Sequence, residues 1–230
     1  KKDDETKKPV LVAGTEFKIY DLDHKKYVEQ VTTYPTVTVH KSFFTDSQGY
    51  LILPKNLEIG HYRIEEVTAP DGYVVNKNYV EITVDSDTAY EVDGVSGDVI
   101  IEVSYEDQPV KGNLIVYKKG EMLSGFENDF IYKEQYLSGA EFEVRAAEDI
   151  CTPDHQKDAD GNRIVLYAKD TLVTTITTGE SGKAVAKDLP LGKYYVVEKE
   201  TADGFVLDGE PRDIDLTYRD QDTPGVTFDS

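Results

Sequence analysis

Apolar and polar residues alternate at every second position through most of this chain. Val37-Thr-Val39, Tyr79-Val-Glu-Ile-Thr-Val84, Val99-Ile-Ile-Glu-Val103, Leu114-Ile-Val116 and Leu172-Val-Thr-Thr-Ile176 are short runs of this kind, bounded by Gly, Asp, Asn or Pro. A period of two sends successive side chains to opposite faces of an extended strand. Many short strands separated by turn residues predict an all-β chain built as sandwiches or barrels. Asp158-Ala-Asp-Gly-Asn162 reads as one such turn. It does not keep the EF-hand register, because Gln156 and Tyr167 stand where acidic ligands are required.

The pattern occurs twice. Gly60-His-Tyr-Arg-Ile-Glu-Glu-Val-Thr-Ala-Pro-Asp-Gly-Tyr73 returns as Gly192-Lys-Tyr-Tyr-Val-Val-Glu-Lys-Glu-Thr-Ala-Asp-Gly-Phe205. Gly14-Thr-Glu-Phe-Lys-Ile19 returns as Gly139-Ala-Glu-Phe-Glu-Val144, and Asp46-Ser-Gln-Gly49 as Gly179-Glu-Ser-Gly182. Ile101-Glu-Val-Ser-Tyr-Glu-Asp-Gln108 pairs with Ile214-Asp-Leu-Thr-Tyr-Arg-Asp-Gln221. The order is the same in both halves, so two tandem domains are expected, residues 1–109 and 110–230. The stretch from Gly72 to Asp107 is longer than its counterpart and predicts an extra hairpin, and the second half is longer between Lys118 and Gly139.

Each copy carries a glutamate, Glu66 or Glu198, that the alternation turns toward the core. The second half opens with Leu114, Val116 and Lys118 on one face, and its last strand is expected to run through Leu216 and Tyr218 to Asp220. The first half offers Lys1 (or Lys2), Glu66 and Asp107 in the same order. A buried lysine is costly unless it is paired or neutral. An ion-paired network in each core is one way to meet that cost; a covalent bond is another.

Composition narrows the function. The formal net charge is −20, from 45 acidic and 25 basic residues, which opposes binding to nucleic acid or anionic membrane. No apolar run approaches the ~18–20 residues of a membrane-spanning helix, and no signal peptide is visible. One cysteine, Cys151, leaves no intrachain disulfide. No cofactor or metal motif is present, and neither a nucleophile elbow nor a phosphate loop supports a hydrolase. The opening Lys1-Lys-Asp-Asp4 reads as the interior of a longer protein.

The Gly-Ala-Glu-Phe segment, the Tyr-x-Ile-x-Glu-x-x-Ala-Pro-x-Gly-Tyr box and the terminal strand together resemble the Cna protein B-type (SpaA-like, prealbumin-type) domains of Gram-positive surface adhesins and pilins. The second box departs from the family at Ala202 and Phe205. The resemblance implies two Ig-like, prealbumin-like β-sandwiches. It also implies isopeptide bonds between a first-strand lysine and a last-strand Asn or Asp, promoted by a neighbouring carboxylic acid. Carried over, the pairs are Lys1–Asp107 with Glu66 and Lys118–Asp220 with Glu198. Both acceptors are Asp, so water is the expected leaving group. Such a bond forms once, on the protein itself, so no enzyme activity is implied.

The function expected from the resemblance is a stalk region of an extracellular adhesin or pilus subunit, held to the cell wall through a region outside this fragment. Neighbouring domains of the same protein are the expected partners, with a host matrix protein or glycan engaged elsewhere. The alternative is a ligand-binding module using the insertions around Lys25–Phe44 or Gly125–Tyr136. Their aromatic residues (Tyr27, Tyr34, Phe43, Phe44, Phe126, Phe130, Tyr132, Tyr136) are read first as strand core.

Overall fold

A computed structural model describes residues 1–86, 91–92 and 99–229. Among them every regular element is a strand. By contacts the chain divides into two units. One holds Lys1–Pro109 with Asp154–Gln156 and Asp220–Asp222; the other holds Val110–Pro153, Lys157–Arg219 and Thr223–Ser230.

The first unit is organised by the strand Gly60–Thr68, which pairs antiparallel with Glu16–Asp21 on one side and Tyr79–Val84 on the other. Glu16–Asp21 alternates strictly between half-buried and buried positions, and its inward residues Phe17 and Ile19 face the core. Ile19, Phe43 and Tyr62 form one apolar cluster; Val10, Ala69, Tyr73 and Val75 form another. A separate parallel pair joins Lys2–Asp3 to Glu106–Asp107, in the register Lys2↔Glu106 and Asp3↔Asp107. The Tyr73 hydroxyl donates to Asp3 Oδ2 at 2.6 Å in the interior, while Asp3 Oδ1 accepts from the Glu5 and Thr6 amides. A buried carboxylate with this many donors keeps the first strand in place. The extra hairpin expected after Gly72 is present as the pair Glu91–Val92 and Val99–Ile100. The run expected to continue as strand to Val103 stops at Ile100.

The second unit is a sandwich. Its three-stranded sheet has Lys111–Tyr117 at the centre, antiparallel to Lys183–Leu189 and parallel to Gly225–Asp229. Its four-stranded sheet runs Leu172–Thr177, Glu141–Ala146, Gly192–Glu200, Arg212–Leu216. Leu114, Val116, Phe142, Val144, Tyr194, Val196, Ile214 and Leu216 fill the space between. Gly112 belongs to that packing: a Cβ there would lie 2.5 Å from Leu216 Cδ1.

Two expectations are corrected here. Arg212–Leu216 is not the last strand of the second unit. It borders the glutamate strand Gly192–Glu200, where Tyr79–Val84 borders Gly60–Thr68 in the first unit. The strand parallel to the lysine strand is Gly225–Asp229, so it, and not the segment ending in Asp220, corresponds to Glu106–Asp107. Alternation marks a strand but not its neighbour, and the shared Tyr-x-Asp-Gln spelling had paired the wrong segments. Most of the insertion aromatics are also not core. Phe43 is buried, whereas Tyr27, Tyr34, Phe44, Phe126, Phe130, Tyr132 and Tyr136 are exposed.

Candidate functional site

The glutamates sit at one register in both units. Glu66 lies opposite Phe17, and Glu198 opposite Phe142, each beside a bulge one residue earlier on the partner strand. In both, a backbone amide ten residues later donates to Oε2: Asn76 N to Glu66 at 2.7 Å and Asp208 N to Glu198 at 2.9 Å. The chain that leaves the glutamate strand thus returns to fix the carboxylate.

In the first unit the three expected residues converge. Lys1 Nζ is 2.6 Å from Glu66 Oε1 and in direct contact with Asp107 Oδ1, and all three side chains are sealed from solvent. The strand pairing explains why. Lys2 faces Glu106 across the parallel pair, so Lys1 and Asp3 point inward with Asp107, and Lys1 rather than Lys2 reaches the site. Phe17 and Tyr105 wall the ammonium group, with ring centroids 5.7 and 5.0 Å from Nζ, and the two rings pack edge to face. Lys1 Nζ, Glu66 Oε1 and both Asp107 oxygens are buried without a partner in hydrogen-bonding geometry. Lys1 is thus ion-paired to two carboxylates in a dry core, where charges are costly to hold. Burial pushes the Asp107 carboxyl up to about 7, against the opposing pull of Lys1 and with help from Glu66. A carboxyl so placed carries its proton much further toward neutral pH than an exposed aspartate. The site can therefore hold Asp107 as a neutral acid. Tyr105 was not foreseen; its place opposite Lys1 follows only once the parallel register is known.

In the second unit the structure brings Lys118 and Glu198 together. Lys118 Nζ is 2.8 Å from both Glu198 oxygens. The lysine side chain is 17% exposed, against 1% for Lys1. Asp220 lies outside any strand, is exposed, and groups with the first unit. Its neighbour Gln221 accepts there from the Ala69 amide at 2.8 Å. No cluster of His, Cys, Asp or Glu suited to a metal occurs among the described residues.

A family model described as the SpaA prealbumin-like fold domain matches residues 1–97 and 131–229. No curated protein sequence is a significant match. Among solved structures, the Bacillus anthracis TIE protein is 22% identical over 98% of this chain and 31% of its own, with a TM-score of 0.51. A streptococcal ancillary pilin is 20% identical over 99% of this chain and 59% of its own, with a TM-score of 0.33. The minor pilin GBS52 of Streptococcus agalactiae is 20% identical over 96% of this chain and 83% of its own, with a TM-score of 0.30. The chain therefore spans less than two thirds of the first two structures. At 22% identity the likeness to the Bacillus anthracis protein speaks to fold alone.

Proposed function

Because the chain belongs to the family of SpaA prealbumin-like fold domains, we propose that it is a stalk segment of a Gram-positive surface adhesin or pilus subunit, and that its first unit locks itself with an amide between Lys1 and Asp107. The observation that carries this reading is the sealed contact of Lys1 Nζ with Asp107 beside Glu66.

The chemistry balances without a cofactor. Proton transfer within the buried pair gives a neutral amine facing a neutral acid. Nζ adds to the Asp107 Cγ, the new C–N bond forms, and the C–OH bond breaks to release water. Glu66, 2.6 Å from Nζ, takes the proton from nitrogen and delivers it to the departing oxygen. Folding supplies the proximity, which is the larger part of the rate for a reaction of this kind. The product removes two charges from the core and closes a loop of most of the first unit. In the chain-entropy model such a loop contributes about 4–5 kcal/mol.

Intact mass tests the reading. The protein is expected to weigh one water less than its sequence, and Glu66→Gln to weigh the full amount and unfold at lower temperature. An unmodified mass in the parent protein would show that the three groups form an ion pair and nothing more.

A second reading rests on the hairpin Lys119–Phe126 and Phe130–Tyr136, which displays Phe126, Phe130, Tyr132 and Tyr136 on its surface. Apolar side chains grouped on one exposed element suit a contact with another protein. Phe126→Ser with Phe130→Ser is expected to leave the melting temperature unchanged while abolishing capture of a surface-protein partner. Equal capture by both forms would remove this reading.

A further inference from the structure

The segment that carries Asp107 is held along both edges. The Tyr105 and Asp107 carbonyls face the first strand and accept from the Lys2 and Asp4 amides, each at 2.8 Å. The Glu106 and Gln108 carbonyls face the other way, toward residues 74–76. Tyr73 bridges antiparallel to Pro109, and Val74 N donates to Gln108 O at 2.9 Å. Two residues on, an antiparallel ladder would set Asn76 N against Glu106 O. That amide is already given to Glu66 Oε2, at 2.7 Å. The Asn76 side chain takes its place, and Nδ2 donates to Glu106 O at 2.7 Å.

Asn76 Oδ1 accepts from Asn78 N at 3.0 Å, which turns Nδ2 toward Glu106. Tyr105, whose ring walls Lys1, donates its hydroxyl to the Asn78 carbonyl. Residues 76–78 therefore touch Glu66, the residue before Asp107 and the ring beside Lys1. The ordinary reading of such an asparagine is an Asx turn. The second unit shows how little that reading requires. Asp208 gives its amide to Glu198 Oε2 at 2.9 Å and accepts from Glu210 N at 3.3 Å, so an aspartate makes the same turn and the same bond to the glutamate. Its Oδ2 has no proton for a carbonyl and takes one from Arg212 at 3.1 Å instead. The bond to Glu106 is what asparagine adds in the first unit.

We infer that Asn76 is a positioning residue for the Lys1–Asp107 amide: its backbone amide holds Glu66, and its side chain holds the segment of Asp107 against the lysine. This rests on the amide-forming reading of the first unit. With Oε2 occupied, Glu66 turns Oε1 toward Lys1 Nζ, 2.6 Å away, and this oxygen moves the proton. With the Glu106 carbonyl bound, the next residue along, Asp107, is kept from swinging away from Nζ. Removing the donor leaves that carbonyl to seek water and lets the acceptor drift. Drift is costly here, because the advantage of proximity falls steeply with misplacement.

The test follows the loss of one water by intact mass after a short pulse of cell-free synthesis, in the parent, Asn76→Ala and Asn76→Asp. Both variants are expected to link about tenfold or more slowly than the parent, since an ångström of misplacement costs that much or more. Aspartate restores the turn but not the donor, so its failure to rescue separates positioning from turn-making. The same two substitutions in a Lys1→Met chain, which lacks the nucleophile, are expected to leave it folded, with the urea midpoint of the Asp form nearer the parent than that of the Ala form. Either variant linking at the parent's rate overturns this inference alone. So does a loss of rate no larger than the loss of folded chain in the Lys1→Met background. A parent that never loses water overturns the amide-forming reading, and this inference with it.

Discussion

Asp107 is the proposed acceptor in the first unit, and its protonation can be read without watching a bond form. Burial raises its carboxyl from 3.8 to about 7 in the unlinked fold. The folded unlinked chain therefore binds a proton that the unfolded chain releases at lower pH. The stability this group contributes is fully present below its ordinary value and is lost as pH rises through the folded value. In Glu66→Gln, where the bond does not form, desolvation still acts on Asp107. Its urea midpoint is expected to fall between about pH 4 and about pH 8, more steeply than that of the parent, whose carboxyl is consumed in the amide. Equal slopes in the two proteins would contradict the assignment of Asp107 as acceptor. At this scale the sequence was informative. A glutamate on an apolar alternation, twice at one register, marked Glu66 and Glu198, and the order Lys, Glu, Asp marked Lys1 and Asp107. What the sequence left open between Lys1 and Lys2 is decided by parity: Asp3 must point inward to meet Tyr73, and Lys1 shares its face.

Strands explain both what sequence revealed and what it hid. Leu114 and Val116 announce the central strand of the second sandwich, and Phe142 and Val144 its partner across the core. Gly112 sits in the same strand for a packing reason that no propensity shows. Gly112→Ala would press a methyl group against the buried Leu216 side chain and is expected to cost about 1–3 kcal/mol. Calorimetry should show that loss in the second unit with the first unchanged; a neutral substitution would mean that the two sheets separate more readily than this packing implies. Pairing was the hidden part. Ile214-Asp-Leu216 and Ile101-Glu-Val103 look alike as strings, yet the first borders the glutamate strand and the second lies outside the strand it was expected to form. Strand neighbours depend on long-range contacts that local alternation does not encode. For the same reason Asp220 was misplaced, while the correct line through Gly225–Asp229 became visible only from the register. The exposed aromatics of the long hairpin follow a related logic: a two-stranded ribbon has no second sheet to cover it, so strand-forming side chains stay on the surface.

Across the whole chain, two units of one family follow each other, and among the described residues the first brings Lys1, Glu66 and Asp107 to one buried site while the second brings Lys118 and Glu198 together without Asp220. A bond between Lys1 and Asp107 would tie the first strand of that unit to the strand parallel to it. Tension along the chain would then pass through one amide and leave the intervening residues unloaded. That property suits a stalk, and it does not depend on a disulfide, which a chain with a single cysteine cannot make within itself. The most direct test of this account is the intact mass of the purified protein, with the linked residues located by digestion. One water less than the sequence, with Lys1 joined to Asp107 and Lys118 unmodified, is the predicted result. A mass equal to that of the plain sequence would contradict it.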